Sequence, residues 1–199
     1  MSKQDFENAV KPDPREMLAA VDENDIQKVE ALLARGADVE GRHFAEDTAL
    51  IRAIDKGNMA IAKFLIEKGA NIEEKDVLGG TAMVGAVHKC SIDMVKLLIE
   101  KGAKLDEGDG KGTTPLMWAA MFGLDEIAKA LIDAGAKVEG DDLHGYSAIG
   151  YALKENHKNI EKMLNHEVTE RAKKAAQALK ELLSPALKRS LPYKGPVKL

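Results

Sequence analysis

Cysteine is almost absent: the 199 residues contain one, Cys90. An intrachain disulfide is therefore excluded, as are metal sites built on paired cysteines, and a chain without disulfides fits a reducing compartment. Aromatic residues supply only 4% of the chain, which is little for one core of large side chains and enough for Ala, Leu, Ile and Gly packed between short helices. No stretch approaches the roughly 18–20 uninterrupted apolar residues needed to span a bilayer. The segment from Met1 to Val10 is polar and lacks the apolar centre of a secretory signal. These absences predict a cytoplasmic protein with no membrane insertion. What remains is 45% hydrophobic and 31% charged, a mix that excludes disordered, collagenous and disulfide-rich classes.

Charge is uneven although the total is only −4. From Glu167 to Leu199 eight Lys or Arg face three Glu, a balance of +5 that leaves −9 for the preceding part. An acidic body argues against nucleic acid as a partner, because phosphate binding needs a cationic surface.

Repetition dominates the body. Gly-Ala pairs begin at Gly36, Gly69, Gly102 and Gly135, each 33 residues after the last. The same step separates Thr48, Thr81, Thr114 and Ser147, and also Ala20, Ala53, Ala86, Ala119 and Ala152. A fourth column runs Leu32, Leu65, Leu98, Leu131 and Leu164. The Thr or Ser caps a first helix by accepting a bond from an orphaned backbone N–H. Leu50, Met83, Leu116 and Ile149, two residues later, start its buried face, and the alanine lets neighbouring helices approach closely. Apolar pairs such as Phe64-Leu65 and Leu97-Leu98 give a second helix its core stripe. Glycine then ends that helix in the left-handed conformation. Asp76, Asp109 and Asp142, each with a glycine three later, read as tight turns.

A unit of this length and order resembles the ankyrin repeat. Its clearest copy, Gly112-Thr113-Thr114-Pro115-Leu116-Met117-Trp118-Ala119-Ala120, is similar to the family's T-P-L-H-x-A-A signature with Met117 in place of His. The resemblance implies an all-α ankyrin-repeat solenoid of helix-turn-helix units with β-hairpin-like turns. Five units are expected, at 14–42, 43–75, 76–108, 109–141 and 142–166, after a polar segment 1–13. The first lacks its turn and the last its final glycine, as suits the ends of a solenoid. His43 and Glu46 stand where later units have Asp and Gly, so that turn is expected to be irregular. Gly85 inside a first helix costs about 1 kcal/mol relative to Ala, and Cys90 replaces the glycine found at Gly57 and Gly123. The third unit is thus expected to be the softest of the middle three.

Beyond the repeats, Val168, Ala172, Ala175, Ala176, Leu179, Leu182 and Leu183 recur near helical spacing. They predict an amphipathic C-terminal capping helix over 167–184, ending at Ser184-Pro185 because proline disfavours a helical residue before it. Its expected role is to cover the last unit; partner or membrane-surface binding is the alternative. Residues 185–199 read as a basic, mobile tail.

No catalytic constellation emerges, so no enzyme, cofactor or metal is expected. His43, His88, His144, His157 and His166 form no zinc-spacing cluster. Cys90 reads as a small turn residue rather than a nucleophile. Gly108 to Thr113 lacks the spacing of a phosphate loop. Acidic pairs such as Glu73-Glu74 and Asp141-Asp142 read as solvated charges, while Trp118 and Tyr151, in equivalent places, read as core residues in mutual contact.

The resemblance implies a concave groove lined by turns and first-helix ends that binds another protein. Carried over copy by copy, the family's variable positions here include Phe44, Val77, Leu78, Lys111, Leu143, His144 and Tyr146 on the turns. At the ends of first helices they include His88, Lys89, Met121 and Phe122. Apolar groups at such tips suggest an interaction site; Val77, Leu78 and Leu143 folded back over neighbouring turns are the bland alternative. Asp22, Glu23 and Asp55 suggest some positive charge on the partner. The function so read is an adaptor, inhibitor or localiser, acting as a monomer. A structural, self-associating scaffold and a bacterial ankyrin effector acting on a host protein are the alternatives.

Overall fold

The computed structural model describes residues 11–42 and 47–190, with side chains described through residue 181. His43, Phe44 and Glu46 lie outside the described residues, as do residues 1–10 and the end of the basic tail from 191 to 199. Among the described residues the chain forms ten helices and no strand. They alternate as first and second members of five pairs: α1 Pro14–Asp22 with α2 Ile26–Ala34, α3 Ala49–Lys56 with α4 Met59–Glu67, α5 Ala82–His88 with α6 Ile92–Glu100, α7 Pro115–Phe122 with α8 Asp125–Asp133, and α9 Ala148–Lys154 with α10 Lys158–Ser190. The first helices stack in sequence order, α1 on α3, α3 on α5, α5 on α7 and α7 on α9.

The 33-residue columns show why the stack closes. Ala20, Ala53, Ala86, Ala119 and Ala152 are all fully buried, since a methyl group is the most that fits between adjacent helices. Leu65, Leu98 and Leu131 are equally inaccessible and fill the space between second helices. One continuous apolar core runs from Met17 to Leu164. Each unit buries its face only against its neighbours, the hallmark of a solenoid.

Caps follow the predicted column with one exception. Ile51, Met117 and Gly150 donate backbone N–H bonds to Thr48 Oγ1, Thr114 Oγ1 and Ser147 Oγ at 3.2–3.3 Å. Thr81 makes no such bond. A second column is conformational. Asn24, Gly57, Cys90, Gly123 and Asn156, spaced by 33, all have positive φ between 53° and 75°. This left-handed residue reverses the chain between paired helices. Glycine and asparagine adopt it readily, whereas a β-carbon bearing sulfur is disfavoured there.

Acidic side chains hold the loops in register. Glu40, Glu73 and Asp106 accept the backbone N–H of Asn71, Lys104 and Lys137 in the next unit at 2.7–2.8 Å. Glu74 pairs with Arg42 at 2.7 Å. Glu73 and Glu74 are therefore structural bonds between units, not merely solvated charges. His157 also bonds across units, its Nδ1 lying 2.8 Å from the Ala120 carbonyl oxygen, as Asn58 Nδ2 donates to the Val21 carbonyl at 2.7 Å.

The C-terminal helix runs further than expected. It is continuous with the second helix of the fifth unit, and it passes Ser184-Pro185 to reach Ser190. Pro185 lacks one N–H, so one helical bond to the carbonyl of Glu181 is missing, and the backbone carries on around it. Over 33 residues α10 extends about 50 Å. Only its first part caps the stack: Val168 packs on the core, and Arg171 donates to the Ala136 carbonyl at 3.0 Å. From Ala172 through Glu181 every side chain is exposed. None of these side chains joins the core, so the cap is narrower than the apolar pattern suggests. An open cleft of about 550 Å³ remains between Ala172, Ala175 and the loop from Lys137 to Gly140.

Candidate protein-binding groove

Three fingers with the same construction project beside the first helices. In each, one aspartate oxygen accepts two backbone N–H groups. Asp76 Oδ1 takes Leu78 and Gly80 at 2.8 and 2.7 Å, Asp109 Oδ1 takes Lys111 and Thr113 at 2.8 and 3.1 Å, and Asp142 Oδ1 takes His144 and Tyr146 at 2.9 and 3.1 Å. Gly79, Gly112 and Gly145 supply the positive φ that the turn needs. Adjacent fingers join tip to tip, Gly110 donating to the Leu78 carbonyl at 2.8 Å and Leu143 to that of Lys111 at 2.9 Å. With the aspartate and glycine committed to the turn, the tip residues between them are free to face outward.

The tips are apolar and exposed. Val77, Leu78 and Leu143 have 68%, 75% and 79% of their surface accessible, so they do not fold back over neighbouring turns. Phe122 and Tyr146 are exposed as well. Lys111, His144, His88 and Lys89 are exposed, while Met121 is half-buried against the core.

Trp118 and Tyr151 occupy the same position in successive first helices, and each serves its own finger rather than the other ring. Trp118 Nε1 donates to Asp109 Oδ2 at 3.2 Å, and Tyr151 Oη donates to Asp142 Oδ2 at 2.5 Å. Trp118 is half-buried, not core. It meets the His88 ring edge-on at 4.3 Å and lies 5.2 Å from Phe122, which makes a ring cluster linking the third and fourth units. Tyr146 lies 5.1 Å from Tyr151 with the Lys154 ammonium over its face.

These contacts set the ionisation of the site. Asp142 is buried, not a solvated charge. Burial alone would raise its pKa, but bonds from Tyr151, Tyr146 and His144 outweigh that and hold it below the ordinary value. The same burial and the charge of Asp142 push the Tyr151 phenol up to about 12. His88, exposed over part of its surface, is lowered chiefly by the partial burial of its ring, despite the opposing pull of Asp109 and Asp76. At the other end of the stack, Asp22 faces Arg52 and Lys56, Glu23 pairs with Lys28, and Asp55 pairs with Lys89 at 2.8 Å. Those acids each have a cationic partner within the chain, at the surface.

The family model for ankyrin repeats in three copies matches residues 17–109 and 104–176. The chain belongs to the ankyrin-repeat family. No curated protein matches it. Ankyrin repeats are in general modules for binding other proteins. Among the described residues no helix is long and apolar enough to cross a membrane, and no group of three or more His, Cys, Asp or Glu is placed to hold a metal ion.

Sequence reasoning reached several residues of one part of the groove, Val77, Leu78, His88 and Lys89 among them, without the cleft they line. Asp47, Thr81 and Gly85 line a cleft of about 280 Å³ between the second and third units, with Ile54, Asp76 and Leu78. The signal for it was a column followed only at Trp118 and Tyr151: Arg52 and Gly85 continue it at the same spacing of 33.

Proposed function

We propose that this ankyrin-repeat protein is a non-catalytic adaptor, inhibitor or localiser that holds a partner protein in its groove. The observation that carries the reading is the succession of accessible apolar side chains on neighbouring fingers and first-helix ends: Val77, Leu78, Phe122, Leu143 and Tyr146. Nothing in the turn chemistry calls for apolar groups at these tips. Contiguous exposed apolar surface is the usual mark of an interaction site, and aromatic residues often anchor one. Of the positions the family resemblance selects, Lys111, His144 and Lys89 would form a polar rim, with Phe44 as a further contact.

The test is a double variant, Leu78→Asp with Leu143→Asp, compared with wild type for capture of proteins from lysate of the source cell. Both side chains are mostly in solvent, so unchanged helical circular dichroism is expected. Loss of a defined captured protein supports the groove; unchanged capture rejects it. A second reading, self-association, is favoured by the exposed face of α10, where Leu179 is 57% accessible. A sedimentation mass that stays monomeric as concentration rises rejects self-association.

A further inference from the structure

We propose that the cleft between the second and third units receives a tryptophan or tyrosine side chain of the partner protein, whose ring N–H or O–H donates to Asp76 Oδ2. The proposal rests on the groove reading above and names what the groove recognises.

The protein itself displays the occupied form of this site twice. In the fourth unit Trp118 fills the position beside its finger and donates to Asp109 Oδ2; in the fifth Tyr151 does so to Asp142 Oδ2. In the third unit the same helix position is Gly85, which has no side chain. Asp76 still forms its turn through Oδ1, but Oδ2 has no donor among the described residues. The resulting cleft is lined by Ile54, Gly85, Asp55 and Lys89. Asp55 and Lys89 stand one repeat before His88 and Phe122, the two rings that flank Trp118. The space is thus the register equivalent of the site of the Trp118 ring.

Two further polar atoms are left without partners there. Thr81 lines the cleft with only 4% of its surface exposed, and its Oγ1 makes no hydrogen bond. Asp47 Oδ1 is likewise buried and without a partner. Asp47 stands in the column of Thr113, whose hydroxyl donates to the next finger's Asp142 at 3.4 Å; a carboxylate at that place supplies no such donor to Asp76. Buried polar atoms are costly without partners. An apolar wall with acceptors at one end suits a planar ring with a donor at its edge. A phenylalanine would fill the space without meeting those acceptors.

The test follows amide shifts of the full-length protein by NMR as N-acetyltryptophanamide is added. Expected are saturable shifts at Asp76, Thr81, Ala82 and Gly85, and about tenfold weaker binding of the analogue methylated on the indole nitrogen, because a hydrogen bond to a charged group is lost. Gly85→Trp supplies the ring from within, so it should abolish binding, with Ile54 Cγ2, 3.3 Å from the new β-carbon, shifting to admit it. Asp76→Asn keeps the Oδ1 acceptor for the turn while replacing Oδ2 with a donor, and should weaken binding about tenfold even if Gly85→Trp misfolds. Equal binding of the methylated analogue, or no effect of Asp76→Asn, overturns the proposal. So does tighter binding of N-acetylargininamide, which would assign the cleft to a cation drawn by Asp47 and Asp76. Binding seen only in a Phe44→Ala variant would make the chain's own Phe44 the occupant and overturn it as well. Shifts confined to the tips around Leu143 overturn the cleft assignment while leaving the groove function standing; loss of capture in the tip variant tests that function separately.

Discussion

The junction of the second and third units and that of the fourth and fifth are built on the same columns, yet the helix position that faces the finger carries Gly85 in one and Tyr151 in the other. In the fifth unit Ser147 caps its helix, Tyr151 satisfies Asp142, and Asn156 accepts the left-handed turn. In the third, Thr81 makes no cap bond, Asp76 Oδ2 has no donor among the described residues because Gly85 bears no side chain, and Cys90 is held at φ 53°. A further open cleft lies between Met59, Lys63 and Leu97 on the second helices. The alanine and leucine columns are buried at both junctions, so the stack passes through the looser one without interruption. In a solenoid each interface contributes separately. Local stability can therefore be given up at one junction, on its groove side, while the columns that hold the stack remain.

Carving the third unit's cleft into the fifth should have the largest effect. Tyr151→Gly removes a buried aromatic, adds a helix glycine and leaves Asp142 short of a donor, for a loss of about 4 kcal/mol in urea unfolding; the comparison breaks if the loss is under about 1 kcal/mol. The finger aspartates should then separate. Asp142→Asn disturbs a buried carboxylate with donors on both oxygens and should cost about 2 kcal/mol, whereas Asp76→Asn should cost under about 0.5 kcal/mol because its Oδ1 still accepts the turn bonds. Equal losses would mean that Tyr151 and Thr113 contribute nothing beyond the turn.

Relieving the third unit should help it. Cys90→Gly is expected to stabilise by about 1 kcal/mol, since the left-handed conformation is disfavoured for a residue with a β-carbon; a loss of stability would show that the Cys90 side chain contributes packing. The smallest effect concerns His88, whose folded pKa lies below the ordinary 6.5. As pH falls through 6.5 the unfolded chain takes up the proton first, so stability declines until the folded pKa is reached and then levels off. The slope of stability against pH in that window should flatten in His88→Gln.

Much of the fold was legible because repetition averages out local ambiguity. The columns of alanine, leucine, Gly-Ala and finger Asp-x-x-Gly recur at positions where backbone geometry leaves little choice, and each took the predicted place. Singular features were less legible. Glu73, Glu74 and Asp142 look like surface charges because their partners are 31 or more residues away or in another element. Trp118 and Tyr151 look like a stacked pair because they share a column, but each ring turns to its own finger. The length of the terminal cap was misjudged because alanine and leucine periodicity reports an apolar face, not whether anything packs on it.

The sequence alone therefore determined the repeat period, the helix pairs, the capping and turn residues and the buried columns, since all of these are set within one unit and the next. Tertiary structure decided which acids are bonded, how far α10 covers the stack, which finger tips meet solvent and where the column of Arg52, Gly85, Trp118 and Tyr151 opens into a cleft. Those properties depend on the space between units, and a missing side chain acquires a shape only when its neighbours are in place.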